Sequence, residues 1–495
     1  MAVPRHVLVA NRGEIAVRVL RTCRALGLRT AAVYADGDAA GVHTALADSA
    51  VDIGPRGYLA AERLIDAARR LGCDAIHPGY GFLSESAVFA RAVREAGLIF
   101  IGPSAETIAA VGDKIAARRQ ARQLGIPIIP GCEPSASREA LLAEASTLRA
   151  PLIVKAAGGG GGRGMRRVTN HDDLAAALTA ASREAEAAFG DPRVYIESAI
   201  DGARHIEIQI VGERTGRVLH FHERDCSLQR RHQKIIEEAP APGLSSRVRE
   251  GLARDALRLA TAVRYEGAGS VEFLVRDDEW FFLEVNARLQ VEHPVTEAIL
   301  GVDLVAAQLL AAGGASLPWQ QDDLRPRGHA IEARLCAEDA AAGFAPQPGR
   351  ITRLRLPAGP GIRVDAGIET GSEVSPEYDS MIAKIIAHAA DRDEALARLR
   401  LALEETVVLG VETTGAFLHD LLGEARVRSA QPDIGLVGEV VAGWTPAPDG
   451  DPALYAAAAA AALALAARPG SAAQPRAGQE TAWQRLPGWR IGGSR

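Results

Sequence analysis

Residues 270–297 read SVEFLVRDDEWFFLEVNARLQVEHPVTE, and the first half of this stretch predicts a β-hairpin with acidic side chains on one face. Two apolar runs of strand type flank the turn signal DDE. With the turn centred on Asp278, Glu272 lies directly opposite Glu284, and Asn286 follows two residues later on the same face. Like charges that face each other destabilise a sheet unless a cation lies between them. Two carboxylates and an amide oxygen therefore predict a site for Mg²⁺ or Mn²⁺ that bridges nucleotide phosphates, although a solvated strand face would have the same pattern.

The polar side chains continue beyond the hairpin at every second residue. Arg288, Gln290 and Glu292 follow Glu284 and Asn286 in this alternation. In an extended backbone all five side chains point toward one site. An arginine there suits the stabilisation of a developing anion, and a glutamate suits general-base catalysis on a small acid. The stretch therefore predicts that catalytic groups and metal ligands share one site.

An alternating segment lies upstream, in RHIEIQIV. His205, Glu207 and Gln209 alternate with three isoleucines, so one face of a strand is apolar and buried. The polar face either lines a cleft or meets water. Alternation alone favours exposure to water.

A basic segment, ERDCSLQRRHQK, occupies residues 223–234. Such runs usually lie on solvated surfaces or bind nucleic acid. No aromatic residues are interleaved with the basic ones, which argues against nucleic acid. Only four of the 56 basic residues are lysines, the other 52 being arginines, and Lys234 is one of the four. Because lysine is a compact point charge and arginine a planar fork, a pocket for a small anion is the sharper interpretation.

Five consecutive glycines begin at Gly158, in PLIVKAAGGGGGRGM. The match of Gly159, Gly161 and Gly164 to the dinucleotide pattern GxGxxG is weak, because a predicted strand follows it, and no GK[ST] of a Walker A motif is present. The run is typical either of a flap whose backbone amides close on phosphates or of a flexible surface hairpin. Lys155 on the preceding strand favours the flap, since a lysine on a buried strand needs an anionic partner.

The remaining chain divides by the pattern of its predicted elements. The first third alternates strands and helices, as in HVLVA, a helix over 14–26 and RTAAVYA, which predicts a parallel, doubly wound α/β sheet. Beyond about residue 112, the strands VYIES, HIEIQIV, VLHFHERD, SVEFLV and EWFFLEVN predict one antiparallel sheet of α+β type. Residues 327–440 mix short strands with a helix at Arg392–Glu405, and a Pro/Gly/Ala-rich linker follows Trp444. A chain of 495 residues suits about three such domains.

Composition and charge exclude several classes of protein. Hydrophobic residues make up 47% and charged residues 24% of the chain, which argues against disorder, coiled coils and collagen. The net charge of −6 argues against a general binder of nucleic acid or membrane surfaces. Five scattered cysteines without C-x-x-C are typical of reduced thiols in the cytoplasm. The N-terminal apolar run and residues 456–467 are both too short to span a bilayer, so we expect no membrane contact.

Together these motifs resemble biotin carboxylase, the ATP-grasp component of biotin-dependent carboxylases. The matching segments follow the family's order over residues 1–440: ANRGEIA, HPGYGFLSE, GDK, KAAGGGGGRGM, RHIEIQ, ERDCSLQRRHQK, EEAPAP, LEVNARLQVEHPVTE, GHAIEARLCAED and YDSMIAK. The resemblance implies a multidomain α/β and α+β fold. Its parts are a Rossmann-like N-terminal domain (1–112), an ATP-grasp domain (113–326) with a mobile lid at about 130–203, a mixed α+β C-terminal domain (327–440), and a linker with the start of a carrier-linking region (441–495).

The resemblance also implies a role for each residue at a matching position. The residues implied to bind ATP are Lys114, Lys155, Gly161, Gly162, Glu197, Ile200, His205, Gln229, His232, Glu272 and Glu284. Those implied to hold two Mg²⁺ or Mn²⁺ ions are Glu272, Glu284 and Asn286. Those implied to surround bicarbonate and biotin are Lys234, Arg288, Gln290, Val291 and Arg334. The implied catalytic residues are Lys234, Arg288, which stabilises the biotin enolate, and Glu292, the base for bicarbonate.

The implied reaction is the ATP- and bicarbonate-dependent carboxylation of biotin through carboxyphosphate, as the first half-reaction of an acyl-CoA carboxylase. The implied partners are a biotin carboxyl carrier protein or domain, a carboxyltransferase subunit and a second copy of the chain. Biotin is attached to a lysine between two methionines, and none of the four lysines here has a methionine neighbour. We therefore expect biotin to arrive as a substrate on another chain or segment.

Two positions lie outside this pattern. Ser198 stands where the family often has a lysine near the adenine, so nucleotide affinity is expected to differ modestly. Lys384 has no implied ligand role, and we expect a structural pairing with Asp379 or Glu377. Two alternative functions stay open: another ATP-grasp ligase that joins a carboxylate to an amine, and a catalytically silent scaffold subunit of a larger carboxylase.

Overall fold

A computed structural model describes residues 4–35, 37–135, 137–157 and 165–446, together with Ala460. Within these limits, residues 4–444 belong to one compact unit. Two predicted ATP-binding residues, Gly161 and Gly162, lie outside the described residues, as does most of the predicted linker and carrier-linking region.

The N-terminal part is built on a five-stranded parallel sheet with the order β3-β2-β1-β4-β5. All four residues of β1 are buried, and the three that follow His6 are apolar, as expected for a parallel strand covered on both faces. The order reverses between β1 and β4, so the predicted doubly wound topology is confirmed. The elements are β1 (His6–Val9), α1 (Gly13–Ala25), β2 (Arg29–Tyr34), α2 (Val42–Leu46), β3 (Ser49–Asp52), α3 (Ala61–Arg70), β4 (Ala75–His77), α4 (Ala87–Glu95), β5 (Ile99–Phe100) and α5 (Ala105–Gly112).

A small antiparallel sheet with the order β7-β6-β8 follows. Its elements, with the helices around it, are α6 (Lys114–Gln123), α7 (Arg138–Ala145), β6 (Leu152–Ala156), β7 (Arg166–Val168), α8 (Leu174–Phe189) and β8 (Val194–Ser198). VYIES forms β8 and pairs with β6. The expectation that it belongs to the same sheet as HIEIQIV is therefore wrong, because β6 and β7 provide a separate partner for it.

The central element is an antiparallel sheet of eight strands in the order β13-β12-β9-β10-β11-β14-β21-β19. Its first part comprises β9 (Arg204–Gly212), β10 (Val218–Arg230), β11 (Gln233–Ala239), α9 (Ser246–Ala262), β12 (Gly267–Arg276), β13 (Glu279–Asn286), α10 (His293–Leu300) and α11 (Leu304–Gly313). Four of the five strands predicted for this sheet are confirmed in it.

The sheet continues into the C-terminal part, where β14 pairs with β11 and places Glu332 directly opposite Glu237. It therefore crosses the predicted domain boundary at residue 326, and residues from both sides can meet on one face. The elements are β14 (His329–Cys336), β15 (Glu338–Asp339), β16 (Ala345–Pro346), β17 (Gly349–Arg350), β18 (Arg353–Arg355), β19 (Ile362–Ala366), β20 (Glu373–Val374), β21 (Met381–Ala389), α12 (Arg392–Glu405), β22 (Val407–Leu409), α13 (Gly415–Gly423), α14 (Ala425–Arg428) and α15 (Leu436–Gly443).

The hydrophobic cores lie on both sides of this sheet. Ile206, Ile208 and Ile210 of β9 belong to a large core that also contains residues of the N-terminal sheet. In the described part of the chain, no single helix is both long and apolar enough to cross a membrane. Helices α10 and α11 meet that test only as a pair, and they are bent by 95° at the break between them.

Candidate active site

The predicted hairpin pairs Glu272 directly opposite Glu284, across β12 and β13. The route to this register differs from the expectation. The turn consists of Asp277 and Asp278, with φ 55° at Asp277, and is not centred on Asp278. Leu283 is an extra residue in β13 that shifts the register by one and brings the two carboxylates into opposition. A β-bulge therefore sets the geometry of the pair.

Each carboxylate of this pair has its own lysine. Glu272 is buried, and it accepts hydrogen bonds from Lys234 Nζ and from Asn286 Nδ2, both at 2.8 Å. The side chain of Glu284 is 26% exposed, and its Oε2 lies 2.6 Å from Lys114 Nζ. Two ammonium groups thus supply the positive charge that facing carboxylates need.

His205 on β9 completes the surroundings of Glu272, with Nε2 2.8 Å from Oε2. Burial alone would raise the pKa of Glu272, but the positive charges of Lys234 and His205 hold that pKa well below its ordinary value. Burial would likewise lower the pKa of His205, and the Glu272 carboxylate raises it instead. Glu272 is therefore ionised at neutral pH and can serve as an anionic ligand.

The donors of the hairpin fit a hard divalent cation. Glu272, Glu284 and Asn286 all offer oxygen atoms, which are the ligands that Mg²⁺ and Mn²⁺ prefer. The partial exposure of Glu284 leaves one side of the set open to an arriving ion. Asn286 Oδ1 lies 3.3 Å from an Nη of Arg288, which orients the amide oxygen. The chemistry of the donors agrees with the predicted metal site, and the assignment of these ligands stays a prediction.

Lys234 on β11 lies at the centre of three carboxylates. Its Nζ is 2.8 Å from Glu207, 2.8 Å from Glu272 and 2.6 Å from Glu292, and the side chain is 12% exposed. We call these four residues the open cluster. Burial would lower the pKa of Lys234, but the nearby Cys226 thiol and the three carboxylates raise it well above its ordinary value. The lysine therefore stays charged.

Three side-chain atoms in this region lie as close to one another as the ligands of a metal ion do. They come from Glu207, Cys226 and Glu292 and lie within 4.8 Å of one another. The ammonium group of Lys234 already donates to both carboxylates, so a cation is present at this place. The predicted metal ligands on the hairpin are a different set.

Beyond β13 the chain leaves the extended conformation and still brings the predicted side chains together. Arg288 contacts Asn286 Oδ1 at 3.3 Å and Gln290 Oε1 at 3.0 Å. Glu292 is the N-cap of α10, with φ −81° and ψ 9°. A turn therefore directs its carboxylate toward Lys234. The convergence on one site is confirmed as geometry, but the expected extended backbone up to Glu292 is wrong.

Arg334 reaches the same site from β14. It donates to Glu237 Oε1 at 2.6 Å and to Glu292 Oε2 at 2.8 Å. Glu292 is thus held between Lys234 and Arg334. Burial and the nearby Glu207 carboxylate would raise the pKa of Glu292, but the two cations lower it below its ordinary value. The group predicted as the base is therefore ionised at neutral pH.

The alternating segment of β9 is buried, so the expectation that its polar face is exposed is wrong. Glu207 and Gln209 have no exposed surface. Arg224 on β10 contacts Glu207 Oε1 at 2.5 Å, Gln209 Oε1 at 2.7 Å and Thr296 Oγ1 on α10 at 2.9 Å. Since α10 covers this face, its polar groups need partners within the protein. The sequence did not reveal that helix.

The predicted ATP-binding residues form two contact groups. Lys155 Nζ on β6 lies 2.5 Å from Glu197 Oε2 on β8. Gln229 Nε2 lies 2.5 Å from His205 Nδ1. Ile200 follows β8 and is 8% exposed. The first pair belongs to the small sheet and the second pair to the central sheet.

His232 is a further predicted ATP-binding residue. It lies in the turn between β10 and β11, and its backbone φ is 66°. Its pKa is lowered by burial, then by the positive charges of Lys155 and His205. Ile200, which follows β8, packs in one cluster with Leu274 and Leu283 of the carboxylate hairpin. This contact brings residues next to the small sheet toward the hairpin, and the roles of the predicted ATP-binding residues stay predictions.

Sequence reasoning missed several residues that hold the predicted ones in place. Oε2 of Glu85 lies 3.0 Å from Nε of Arg288, and Oε1 of Glu85 accepts a hydrogen bond from the backbone N–H of Ala287. Arg118 contacts Glu197 and donates to the carbonyl of Ile129. The missed residues are Glu85, Arg118, Glu207, Arg224 and Glu237. Glu85 lies in HPGYGFLSE and Glu237 in EEAPAP, so the matched motifs themselves contained the signal.

Lys384 does not have the partners expected from the sequence. Its Nζ donates to the carbonyl oxygen of Val291 at 2.7 Å, and it lies 3.4 Å from Glu14 Oε2 and 3.9 Å from Asp365 Oδ2. We call these four residues the sealed cluster, because the Lys384 side chain has no exposed surface. The expectation of Asp379 or Glu377 is wrong, since both lie on an exposed segment that precedes β21.

Comparisons with known proteins agree with this geometry. Three family models match consecutive parts of the chain: the biotin carboxylase N-terminal domain (3–108), the ATP-binding domain of carbamoyl-phosphate synthase L chain (113–320) and the biotin carboxylase C-terminal domain (332–439).

Two relatives and one solved structure are closely similar. Biotin carboxylase of Pseudomonas aeruginosa is 45% identical over 85% of this chain and 94% of the relative. The mitochondrial methylcrotonoyl-CoA carboxylase subunit alpha of Glycine max is 47% identical over 84% of this chain and 58% of the relative. The biotin carboxylase domain dimer of Hydrogenobacter thermophilus 2-oxoglutarate carboxylase, crystallised with MgADP, ADP and bicarbonate, has a TM-score of 0.87 and 40% identity over 90% of this chain and all of that one. From this similarity over nearly the whole described unit, the chain belongs to the biotin carboxylase family of ATP-dependent ligases.

Proposed function

We propose that the chain uses ATP and bicarbonate to carboxylate biotin. The observation that carries this proposal is the position of Glu292, held by Lys234 at 2.6 Å and by Arg334 at 2.8 Å, next to Arg288 and the carboxylate hairpin. A general base flanked by cations suits a small anionic acid such as bicarbonate. The similar domain of Hydrogenobacter thermophilus 2-oxoglutarate carboxylase was crystallised with MgADP, ADP and bicarbonate, which supports the same ligands here.

The nucleotide is positioned by charge in this proposal. Lys114 and Lys155, which pair with Glu284 and Glu197 in the structure, would face the phosphates, and Glu272, Glu284 and Asn286 would hold the divalent ions. When bound, these ions neutralise phosphate charge and so favour phosphoryl transfer. The protein's own contribution is to hold the reacting groups in line.

The chemical steps then follow from the residues around Glu292. Its carboxylate takes the proton of bicarbonate, and a bicarbonate oxygen attacks the γ-phosphorus of ATP, which releases ADP and forms carboxyphosphate. Carboxyphosphate separates into CO₂ and phosphate, and the phosphate takes the proton from the ureido nitrogen of biotin. Arg288 stabilises the negative charge on the biotin oxygen while the nitrogen attacks CO₂. Lys234 and Arg334 keep the anion in place through the sequence.

The proposal extends to the carrier of carboxybiotin and to the acceptor of its carboxyl group. We infer that carboxybiotin forms on a separate carrier protein or domain and passes to a carboxyltransferase that acts on an acyl-CoA. Similarity to a methylcrotonoyl-CoA carboxylase subunit supports an acyl-CoA. Similarity to the 2-oxoglutarate carboxylase domain supports a 2-oxo acid as the second candidate. Supplying purified carboxylated carrier to carboxyltransferases of each kind, and measuring transfer of label, distinguishes the two.

A second copy of the chain and a cytoplasmic location complete the proposal. The similar 2-oxoglutarate carboxylase domain is a dimer, which supports dimer formation here. Light scattering across a range of concentrations measures the mass directly. A monomer at micromolar concentration would contradict the dimer while leaving the chemistry untouched.

The decisive experiment combines labelled bicarbonate, Mg-ATP and free biotin. We expect labelled carboxybiotin and ADP release that depends on bicarbonate. The absence of both products would overturn the proposal. If ADP release does not depend on bicarbonate but requires an added carboxylate and an added amine, and an amide of the two is formed, the chain is an ATP-grasp ligase that joins a carboxylate to an amine.

A further inference from the structure

A second buried lysine lies on the far side of the turn that carries Glu292. Lys384 interrupts the apolar run of β21, MIAKIIAHA, and its side chain has no exposed surface. Burial of an ammonium group is costly unless polar partners surround it. The identity of those partners therefore indicates what the residue does.

The shortest contact of Lys384 is to the backbone. Its Nζ donates to the Val291 carbonyl at 2.7 Å, whereas the nearest carboxylate oxygens, on Glu14 and Asp365, lie at 3.4 and 3.9 Å. The central sheet fixes the direction of this side chain, because Lys384 pairs directly with Arg334 on β14 and with Asp365 on β19. One row of the sheet thus presents Arg334 to the open cluster and Lys384 to the turn behind it.

The Val291 carbonyl needs a donor from outside its own helix. The residue three positions later is Pro294, which has no N–H. The N–H of Val295, four positions later, goes to the carbonyl of Glu292 at 3.3 Å. Buried carbonyl groups are almost always hydrogen-bonded. The ammonium group of Lys384 therefore completes the hydrogen bonding of the turn.

We propose that Lys384 is a positioning residue for this turn: it holds the Val291 peptide so that the Glu292 carboxylate stays between Lys234 and Arg334 and the bicarbonate site keeps its shape. The inference rests on the proposed function, since bicarbonate is the substrate that the site would bind. Lys384 itself does not touch the substrate.

The anionic side of the sealed cluster supplies a matched control. Asp365 is held by Arg363, with Nη–Oδ2 2.7 Å, and so has a second cation. Both carboxylate oxygens of Glu14 lack a hydrogen-bond partner among the described residues. Among the described residues no hydrogen bond joins Glu14 to Val291, so Glu14→Gln is expected to change the charge around Lys384 while leaving the hydrogen bond to the carbonyl in place.

The test compares three variants of the full chain: Lys384→Met, Lys384→Met with Glu14→Gln, and Glu14→Gln alone. The double variant removes Lys384 together with the charge of Glu14, whose buried carboxylate would otherwise lose its nearby cation. This variant therefore tests the loss of the lysine with less risk that the chain fails to fold. For both variants that lack the lysine, we expect a bicarbonate KM raised about tenfold and a kcat for carboxybiotin lowered about tenfold, because a base displaced by a fraction of an ångström loses its alignment. ATP binding, followed by fluorescence of a labelled nucleotide, should stay within about twofold of the unsubstituted chain. Glu14→Gln alone should keep both kinetic constants.

The outcomes separate positioning from charge balance. If the double variant has the bicarbonate KM and kcat of the unsubstituted chain, Lys384 only balances charge and the inference is wrong. An equal loss of ATP affinity and bicarbonate affinity would also overturn it, since a general loss of structure predicts that result. If the unsubstituted chain itself forms no carboxybiotin, the proposed function fails and the inference fails with it.

Discussion

Two buried lysines flank the turn of residues 288–292, and their surroundings differ. Lys234 in the open cluster makes three contacts of 2.6–2.8 Å to carboxylates, and 12% of its side chain is exposed. Lys384 in the sealed cluster has no exposed surface, and its shortest contact is a backbone carbonyl. The same residue type therefore serves an exchangeable ionic site on one side and a fixed hydrogen bond on the other.

The difference follows from access to solvent. An ammonium group at the edge of a cleft can exchange a carboxylate for a substrate anion, because water and counter-charges compensate the change. A sealed ammonium group cannot exchange partners without leaving a charge unpaired. The open cluster is thus suited to chemistry and the sealed cluster to geometry. Substitutions in the two clusters test that division.

Removal of the base should have the largest effect. Glu292→Gln keeps the shape of the side chain but cannot take a proton, so carboxybiotin formation should fall by about 10³-fold. ATP should still bind, because Glu292 lies between Lys234 and Arg334 and not beside Lys155. Rates from labelled bicarbonate and binding of a fluorescent nucleotide check both parts. Near-full activity would show that another group is the base.

A change of the open lysine should have the next largest effect. Lys234→Arg keeps the charge, but a planar guanidinium fork does not reproduce three contacts that converge on one atom. Carboxylation should fall by about a hundredfold with ATP binding retained. The measurement is the steady-state rate over a range of bicarbonate concentrations. An unchanged rate would mean that only the charge of the open cluster matters.

Sequence reasoning predicted the fold correctly, the roles of the site residues stay predictions, and its errors concern long-range contacts. The doubly wound N-terminal sheet follows from the local alternation of strands and helices, and it is present. The pairing of Glu272 with Glu284 was predicted from a turn centred on Asp278. The turn is centred between Asp277 and Asp278 instead, and the bulge at Leu283 restores the predicted pairing. Local pattern does not reveal a bulge, because the extra residue is itself apolar and strand-like.

Burial was the hardest property to predict. Glu207 and Gln209 look like an exposed face by alternation, and only α10, almost ninety residues later in the chain, covers them. Lys384 was assigned to Asp379 and Glu377 because they are near in sequence, whereas Glu14 and Val291 reach it through the fold. Scarcity of lysine correctly drew attention to these positions, but the partners depend on topology.

The sealed cluster should also affect how stability depends on pH. Burial raises the pKa of Glu14 from 4.5 to about 7, against the opposing charge of Lys384. Because the folded state holds this proton more tightly than the unfolded state, stability should fall as the pH rises from about 4.5 to about 7. Glu14→Gln should remove this part of the pH dependence. Relative to the unsubstituted chain, the free energy of unfolding of this variant should therefore rise by about 2 kcal/mol at pH 8. The midpoint of urea unfolding at pH 5 and pH 8 measures it, and a variant with an unchanged slope would contradict the assignment.

The smallest expected effect concerns the carboxylates that the sequence favoured as partners of Lys384. Glu377 is exposed and is not among the groups that contact Lys384 in the described structure. Glu377→Gln should therefore change the free energy of unfolding by less than about 0.5 kcal/mol and leave carboxylation unchanged. Asp365→Asn is the matched comparison, since Asp365 lies beside the buried Lys384 and the half-buried Arg363, and its loss leaves both cations short of one counter-charge. We expect a clearly larger loss of stability for Asp365→Asn in the same urea titration. If the two variants are equally stable, the sealed cluster does not depend on its counter-charges, and the contrast with the open cluster would rest on the Val291 hydrogen bond alone.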